Sequence, residues 1–344
     1  MARGLPALFT TRSGRPLARE IAKELTSIME NRLQELAREP TLDKRQEAEI
    51  QRINRIRAMN VEYFGKSRGG LFPRHIYIED FSDGEIHVVI DDYKLAEEKP
   101  EVANSVRGQD VFLVSASYEP PRDTEELIRT AAAKTGSSDM TPAFLEELVR
   151  EIRKDRSVND NVMEAMIALR TLSICDAERV TWICPSAPYA RQDRSKEREA
   201  SIAKLVQEFS EVCRVSHAVF EDLHADQIKS YYQDQFQTAD NIQASRVLLP
   251  GIQQLIAKSD IPPDKVRQHF CVESPDAGAM KRARWYANKL GIPLAYADKM
   301  RDYSIPNSVA KVIVIGDVKD RHAIIIDDLL DTGGTLVNIA NETV

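Results

Sequence analysis

The sequence contains little that would place it in a membrane or along a nucleic acid. Its apolar runs fall far short of the roughly 18 residues that a bilayer-spanning helix needs. Its 54 acidic and 47 basic side chains give a net charge of −7, without the basic excess typical of nucleic-acid-binding proteins. The N-terminal segment has only a five-residue apolar patch, which argues against a secretory signal. These absences predict a soluble, cytoplasmic protein that binds neither nucleic acid nor a membrane.

Cysteines and aromatic residues are also scarce, and aromatic side chains make up 6% of the chain. The four cysteines, Cys175, Cys184, Cys213 and Cys271, form neither a CxxC pair nor a zinc-binding spacing. We therefore expect buried, reduced thiols rather than a metal site or a cysteine nucleophile. At 344 residues the chain is long enough for about two domains with cores that need no covalent cross-links.

Predicted strands and helices alternate along most of the chain. An amphipathic helix is predicted over residues 16–38, and a charged, solvated helical stretch follows over 39–60. Further strands are predicted at 75–81, 85–93, 109–117, 179–187, 217–223, 269–275, 293–299, 309–318 and 323–329, and helices at 142–153, 160–175, 200–213, 225–233, 243–258 and 277–290. This alternation predicts an α/β fold of parallel sheets joined by right-handed crossovers. We place an N-terminal domain at 1–239 and a C-terminal domain at 240–344.

The most informative segment begins at Ile324 and reads IIIDDLLDTGGT. Three β-branched residues predict a buried strand, and Asp327 and Asp328 follow at its carboxyl end, where open α/β sheets bind ligands. A small-residue loop then opens a helix, whose backbone N–H groups suit a phosphate. The loop consists of Asp331, Thr332, Gly333, Gly334 and Thr335. We interpret the two acids as acceptors for sugar hydroxyls and the loop as a phosphate site; the alternative is an ordinary strand followed by an acidic turn.

This segment resembles the phosphoribosyl-pyrophosphate signature that type I phosphoribosyltransferases share with ribose-phosphate pyrophosphokinases. Residues 188–194 (PYARQDR) and 222–227 (DLHADQ) are similar to pyrophosphokinase motifs that the transferases lack. Matches in the same order occur at 81–85, 105–108, 158–161, 274–278 and 298–301. The resemblance covers most of residues 6–27, 72–117 and 158–344. It implies two tandem type I phosphoribosyltransferase-like domains with parallel central sheets.

The resemblance also implies an activity. The implied reaction transfers the diphosphoryl group of ATP to the C1 hydroxyl of ribose 5-phosphate, giving 5-phosphoribosyl 1-diphosphate (PRPP) and AMP for nucleotide biosynthesis. Such chemistry depends on positioning and charge neutralisation, which implies Mg²⁺ as the cofactor. By resemblance, His224 and Asp276 help to place the metal ion, and Lys299 and Arg301 are the catalytic residues of a mobile flap. Met300 stands between them where a basic residue is common.

The remaining implied site binds ATP. The residues assigned to it by resemblance are Phe81, Asp83, Glu85, Arg191 and Gln192. In the family, the loop equivalent to 81–85 reaches the site from a neighbouring subunit, and members usually form hexamers built from dimers. A homo-oligomer is therefore implied as well.

Three features depart from the family pattern. Residues 28–70 and 119–157 have no counterpart there and are expected to be insertions. The segment after Gln192 is one residue shorter than usual and lacks the customary proline before the helix. Because the chain stops at Val344, within the helix after the phosphate loop, we expect a truncated C-terminal domain. Two alternative functions stay open: a non-catalytic regulatory subunit of the same family, and a phosphoribosyltransferase.

Overall fold

The computed structural model describes residues 6–39, 41, 43–51, 53–54, 74–90, 106–118, 132–133, 157–195, 198–233, 236–300, 311–329 and 339–340. The chain divides into two compact units, Met1–Ile242 and Gln243–Val344, which we call unit 1 and unit 2. This boundary, between residues 242 and 243, lies three residues after the predicted boundary between 239 and 240. Among the described helices, none combines the length and hydrophobicity that crossing a bilayer requires.

The described strands and helices follow the predicted alternation. The strands are β1 (Pro6–Thr10), β2 (Arg74–His75), β3 (Tyr77–Asp80), β4 (Ile86–Val89), β5 (Asp110–Val114), β6 (Arg179–Ile183), β7 (Val215–Glu221), β8 (Thr238–Ile242), β9 (Phe270–Ser274), β10 (Leu294–Met300), β11 (Lys311–Ile315) and β12 (His322–Ile325). The described helices are α1 (Arg15–Leu36), α2 (Val158–Ile174), α3 (Ile202–Val212), α4 (Asp226–Tyr231), α5 (Ser245–Ala257), α6 (Val266–His269) and α7 (Met280–Leu290), with a 3₁₀ turn at Pro263–Lys265.

Unit 1 is built on a six-stranded sheet in the order β2-β1-β5-β6-β7-β8, and every strand pair in it is parallel. The buried apolar side chains of β5, β6 and helix α2 belong to the main core cluster. Helix α2 begins with a capping box, in which the Ser157 and Asp160 side chains each accept a hydrogen bond from the other residue's backbone N–H. The predicted parallel α/β fold is therefore confirmed for this unit.

Strands β1 and β8 are absent from the predicted strands. β1 begins at a proline and has the short sequence PALFT, while β8 has the mostly polar sequence TADNI. Neither shows the alternation or the long β-branched run that marks a strand in isolation. Each is extended because its backbone pairs with a buried parallel neighbour, β5 or β7, and this partnership is not visible in the local sequence.

Strands β3 and β4 form a separate antiparallel hairpin rather than part of the central sheet. The turn at residues 82–84 lies where the sequence predicts it, and Gly84 adopts a φ of +92° that favours glycine. The hairpin is attached to the main core of unit 1 through Val88 and Ile90, which are both buried. Its tip is therefore exposed while its base is packed.

Unit 2 contains a four-stranded sheet in the order β11-β10-β9-β12. Strands β10 and β12 run parallel to β9, as expected, but β11 runs antiparallel to β10. A parallel connection needs a crossover of about a dozen residues or more, and only residues 301–310 separate these two strands. The predicted parallel arrangement therefore holds for β9, β10 and β12, and β11 is an antiparallel strand at the edge of the sheet.

The proposed insertions lie largely outside the described residues. Within 28–70, residues up to Leu36 belong to α1 and residues 44–51 and 53–54 are helical. Of 119–157, only residues 132–133 and 157 are described. The predicted helix over 142–153 is also outside them. Three of the four cysteines are buried, as predicted, and Cys175 is half-buried.

Gly14, between β1 and α1, packs closely against the end of β5, and its replacement tests this contact. A Cβ atom there would lie 2.2 Å from the carbonyl oxygen of Val114, which already accepts a hydrogen bond from the Thr11 N–H. We expect Gly14→Ala to lower the free energy of unfolding by about 2 kcal/mol or more, since the backbone must move. Gly251 in α5 has open space around it, so Gly251→Ala should instead stabilise by about 0.5–1 kcal/mol. Denaturant unfolding measures both, and effects of the same sign would contradict this close approach.

Candidate functional site

Two of the sequence motifs meet at one edge of the unit 1 sheet. The 188–194 segment follows β6 and the 222–227 segment follows β7, and because these strands are parallel neighbours their carboxyl ends lie side by side. The hydroxyl of Tyr231 in α4 donates a hydrogen bond to the backbone carbonyl of Asp193, which ties the second segment to the first. The fold thus brings together two motifs that are separated by about thirty residues in the sequence.

Arg191 and Gln192 lie in a well-braced loop with exposed side chains. The Gln192 N–H donates to the carbonyl of Tyr189 at 2.8 Å, and the Gln192 carbonyl accepts from the Ala203 N–H at 3.2 Å and the Ser201 hydroxyl at 3.2 Å. Tyr189 has a φ of 54°, in the left-handed region. A rigid loop with an exposed cation and an exposed amide suits the binding of a phosphorylated ligand.

His224 is exposed between β7 and α4. The residues before it are held by β8, because the Asp222 N–H donates to the carbonyl of Ile242 at 2.9 Å and the Leu223 N–H donates to the side-chain oxygen of Asn241 at 3.1 Å. Asp222 has a positive φ of 43°, which turns the chain sharply at the end of the strand. The imidazole is thereby presented at the same sheet edge as Arg191.

The hairpin tip presents Phe81, Asp83 and Glu85, and all three are exposed. The Phe81 N–H donates to the Glu85 carbonyl at 2.8 Å, and the Glu85 N–H donates to a carboxylate oxygen of Asp83 at 3.1 Å, so the tip is internally braced. The Phe81 ring stacks on His87, with ring centroids 5.2 Å apart and an interplanar angle of 18°. One ring face is thus covered, and Phe81 as a whole is 49% exposed.

His87, Glu79 and Tyr77 were not predicted as site residues. The Glu79 carboxylate bridges the other two, with one oxygen 2.8 Å from Nδ1 of His87 and the other accepting from the Tyr77 hydroxyl at 2.7 Å. Glu79 and His87 are paired across the two strands. Alternating polar positions in the predicted strands 75–81 and 85–93 were the available signal, but the pairing itself requires the hairpin register.

Three acids gather at the carboxyl edge of the unit 2 sheet. Asp276 follows β9, and Asp327 and Asp328 follow β12, its parallel neighbour. The pKa of Asp327 is raised to about 6, first by burial and then by the Asp328 side chain and the negative charge of Asp276. The Asp328 N–H donates to Asp327 at 2.9 Å and partly opposes this rise. The cluster is a concentration of negative charge where ligands bind in such sheets.

Asp276 is fixed by its own loop. One carboxylate oxygen accepts from the Ala279 N–H at 2.9 Å, and the Ser274 hydroxyl donates to the Asp276 carbonyl at 2.8 Å. A Cβ on Gly278 would lie 3.2 Å from that carboxylate, so a larger residue there would crowd it. The carboxylate is therefore held in one orientation beside Asp327.

Lys299 lies within β10, at the end of the strand predicted over 293–299. Strand β10 pairs with β9 only at residues 294–296 but with β11 at 296–300, where Lys299 is opposite Val312. The end of β10 is thus part of a two-stranded ribbon that continues past β9. Two-stranded ribbons are only marginally stable alone.

Several predicted residues lie outside the described part of the chain. They are Arg301 and the phosphate-loop residues Asp331, Thr332, Gly333, Gly334 and Thr335. Within the described residues, no group of three or more His, Cys, Asp or Glu side chains is arranged to hold a metal ion by itself. His224 belongs to unit 1 and Asp276 to unit 2.

Comparison with known proteins bears directly on these motifs. The family model described as the N-terminal domain of ribose phosphate pyrophosphokinase matches residues 146–213, and the phosphoribosyl transferase domain model matches residues 238–342. A ribose-phosphate pyrophosphokinase from Ralstonia nicotianae is 33% identical over 263 residues, which are 76% of this chain and 63% of that protein. The chain therefore spans less than two thirds of the length of this curated relative.

A solved structure supports the fold. The crystal structure of phosphoribosylpyrophosphate synthetase from Mycobacterium smegmatis matches with a TM-score of 0.59 at 24% identity, covering 98% of this chain and 76% of that one. Residues 146–213 and 238–342 thus match two domain models in the order that the sequence motifs imply. The chain belongs to the ribose-phosphate pyrophosphokinase family.

Proposed function

We propose that this protein transfers the diphosphoryl group of ATP to the C1 hydroxyl of ribose 5-phosphate, giving PRPP and AMP. The observation that carries the proposal is the acid cluster of Asp276, Asp327 and Asp328 at the carboxyl edge of the unit 2 sheet, within a chain of this family. Acids beside a phosphate loop suit a phosphorylated sugar, because carboxylates accept hydrogen bonds from hydroxyls while the loop holds the phosphate.

Ribose 5-phosphate is assigned to unit 2. Asp327 and Asp328 accept hydrogen bonds from the ribose hydroxyls, and the phosphate lies on the backbone N–H groups of the loop of residues 331–335. The pKa of Asp327, raised first by burial and then by two neighbouring acids, supports this assignment, since such a carboxyl group gains from neutral or cationic partners.

ATP is assigned to exposed groups of unit 1. The uncovered face of Phe81 stacks on adenine, and Asp83 and Glu85 accept from its exocyclic amine. Arg191 binds the phosphates and Gln192 orients the nucleotide. Because the hairpin tip projects from its own unit, we also propose that it acts on a neighbouring subunit of a homo-oligomer, a dimer-based hexamer by family resemblance.

Mg²⁺ is the proposed cofactor, and the donors present fit it. Mg²⁺ prefers oxygen ligands and usually keeps several waters, held by one or two carboxylates together with substrate phosphates, so a complete protein cage is not required. Asp276 is the proposed carboxylate ligand. His224 is better suited to a metal-bound water or a phosphate than to Mg²⁺ itself. When bound, the ion neutralises the charge of the polyphosphate.

The chemical step needs no covalent enzyme intermediate. The C1 hydroxyl oxygen forms a bond to the β-phosphorus of ATP, the bond from this phosphorus to the bridging oxygen breaks, and AMP leaves with that oxygen. The hydroxyl proton passes to solvent. Lys299 and Arg301 stabilise the negative charge that develops on the transferring group and the leaving oxygen.

We further propose a cytoplasmic location, because free thiols persist in a reducing compartment.

Product analysis tests the proposal. The full-length protein with ATP, Mg²⁺ and ribose 5-phosphate should release AMP and PRPP in equal amounts, and no AMP without the sugar phosphate. Absence of turnover in the assembled protein would instead favour the non-catalytic regulatory subunit. Pyrophosphate-dependent base exchange without AMP release would favour a phosphoribosyltransferase, whose chemistry leaves the 188–194 and 222–227 motifs unexplained.

Replacement of Lys299 tests the flap assignment. Lys299→Ala should lower kcat at least a hundredfold while changing the KM for ATP much less, because the ammonium group acts on the transition state. Steady-state kinetics measures both constants. Lys258→Ala, at the exposed end of α5, is the matched control and should leave both unchanged. Equal losses in kcat and in ATP affinity for Lys299→Ala would contradict the role.

The acid cluster predicts a pH dependence of stability in Mg²⁺-free buffer. The pKa of Asp327 is about 6 in the folded chain against an ordinary 3.8, so the folded state binds this proton more tightly. Its contribution to stability is therefore complete below about pH 4 and is lost as the pH rises through about 6. Asp327→Asn should remove this part of the pH dependence in thermal unfolding. Asp260→Asn, at an exposed acid, should keep it, and identical profiles for wild type and Asp327→Asn would refute the assignment.

A further inference from the structure

Arg12 joins three separate parts of unit 1. Its guanidinium donates from Nη1 and Nη2 to the two carboxylate oxygens of Asp80, each at 2.8 Å. Its Nε donates to Oε2 of Glu164 at 2.7 Å, and its backbone N–H donates to Oε1 of the same carboxylate at 2.7 Å. Arg12 follows β1, Asp80 ends β3 in the hairpin, and Glu164 lies in α2. One side chain therefore connects the central sheet, the hairpin and the core helix.

The two carboxylates differ strongly in burial. The Glu164 side chain is 1% exposed, whereas that of Asp80 is 41% exposed and that of Arg12 is 22% exposed. A buried carboxylate must be paired and hydrogen-bonded, and Arg12 bonds to both oxygens of Glu164. Burial by itself lowers the pKa of Arg12, but the hydrogen bonds and charges of Asp80 and Glu164 raise it above its ordinary value. The Arg12 guanidinium is therefore held on its core side by a carboxylate that is shielded from water.

The outward side of this guanidinium holds the hairpin. Asp80 directly precedes Phe81 and is paired across the strands with Ile86, so it lies at the boundary between the hairpin and its tip. A two-stranded hairpin is marginally stable alone, and within the described residues no strand of the six-stranded sheet pairs with it. Val88 and Ile90 anchor its far end, toward residue 90, in the core. The forked pair fixes the near end, beside the tip.

We propose that Arg12 is a positioning residue that holds the 81–85 loop in the orientation needed to receive the adenine of ATP. This inference rests on the proposed function, in which that loop contacts the base. Arg12 itself touches no substrate in this role. It acts through Asp80, and the buried Glu164 sets the direction of the guanidinium plane.

Lysine is not an adequate substitute at this position. An ammonium group is a single point of charge and does not reproduce the planar fork that bonds Asp80 in two places while Nε bonds Glu164. Arg12→Lys should therefore keep the charge beside Glu164 and release the hairpin. Asp80→Asn weakens the same contact from the hairpin side and leaves the buried Glu164 carboxylate paired. It is therefore a second test of the contact that does not depend on how well Arg12→Lys folds.

The test combines nucleotide affinity with hydrogen exchange in the full-length protein. Arg12→Lys and Asp80→Asn should each raise the KM and the calorimetric Kd for ATP about tenfold, with kcat changed less than about twofold. Amide exchange at residues 77–89 should accelerate in both variants, while exchange in β5 and β6 stays at the wild-type rate. The double variant should be no weaker than Arg12→Lys alone, since both changes break one contact.

Arg32→Gln is the matched control. Arg32 also makes a forked pair, with Glu49, but between α1 and the helical residues near 49. Its loss should leave ATP affinity and hairpin exchange unchanged. Faster exchange with unaltered ATP affinity in the Arg12 and Asp80 variants would show a structural role only and overturn the inference, as would no change in either.

Measurements on the wild-type protein test the proposed function separately from the positioning role of Arg12. If wild type binds ATP but releases no AMP, the proposed reaction is wrong, and weaker ATP binding by the variants still supports the positioning role. If wild type binds no ATP, both the reaction and the positioning role are overturned. Retained activity with unaffected variants overturns the positioning role alone.

Discussion

Parallel strand pairing is the constraint on which the rest of unit 1 depends. Because β1, β5, β6 and β7 all run in one direction, their carboxyl ends meet at one edge and carry Arg12, Arg191 and His224 to the same side of the sheet. Reversing one strand would send its loop to the opposite edge. Unit 2 repeats the device with β9 and β12, which places Asp276 beside Asp327 and Asp328. The position of each proposed site therefore depends first on strand direction and only then on the identity of the side chains.

Local patterns predicted the parts of this fold that carry their own signal. The apolar run of β5, the helical periodicity of α1 and the acids after β12 were all recognisable from sequence, and the family resemblance was confirmed by comparison. β1 and β8 were not, because their extended backbones depend on neighbours that are distant in sequence. The end of β10 lies one residue beyond the predicted strand, since the ribbon register between β10 and β11 decides where the strand ends. The Arg12 network was invisible for the same reason: Asp80 and Glu164 are 68 and 152 residues away from it.

The two units differ in the charge of the site residues at the carboxyl ends of their strands. Unit 2 concentrates acids at the carboxyl edge of its sheet, where burial first and the neighbouring acids second raise the pKa of Asp327. Unit 1 supplies cations, but Arg12 is committed to carboxylates while Arg191 is exposed. Because the net charge of the chain is −7, the proposed binding of polyphosphates depends on particular arginines and lysines and not on the overall charge.

The stacking of Phe81 on His87 has a thermodynamic consequence. An exposed phenylalanine normally loses rotational freedom when it receives a ligand, and that loss weakens binding. Here the imidazole supports one ring face and is itself held by Glu79, so part of the ordering has already taken place when the chain folds. In the proposed binding mode, the adenine base therefore meets a ring whose orientation is already partly set. If the hairpin binds adenine as proposed, part of the entropic cost of ordering Phe81 is met when the chain folds and not when the ligand binds.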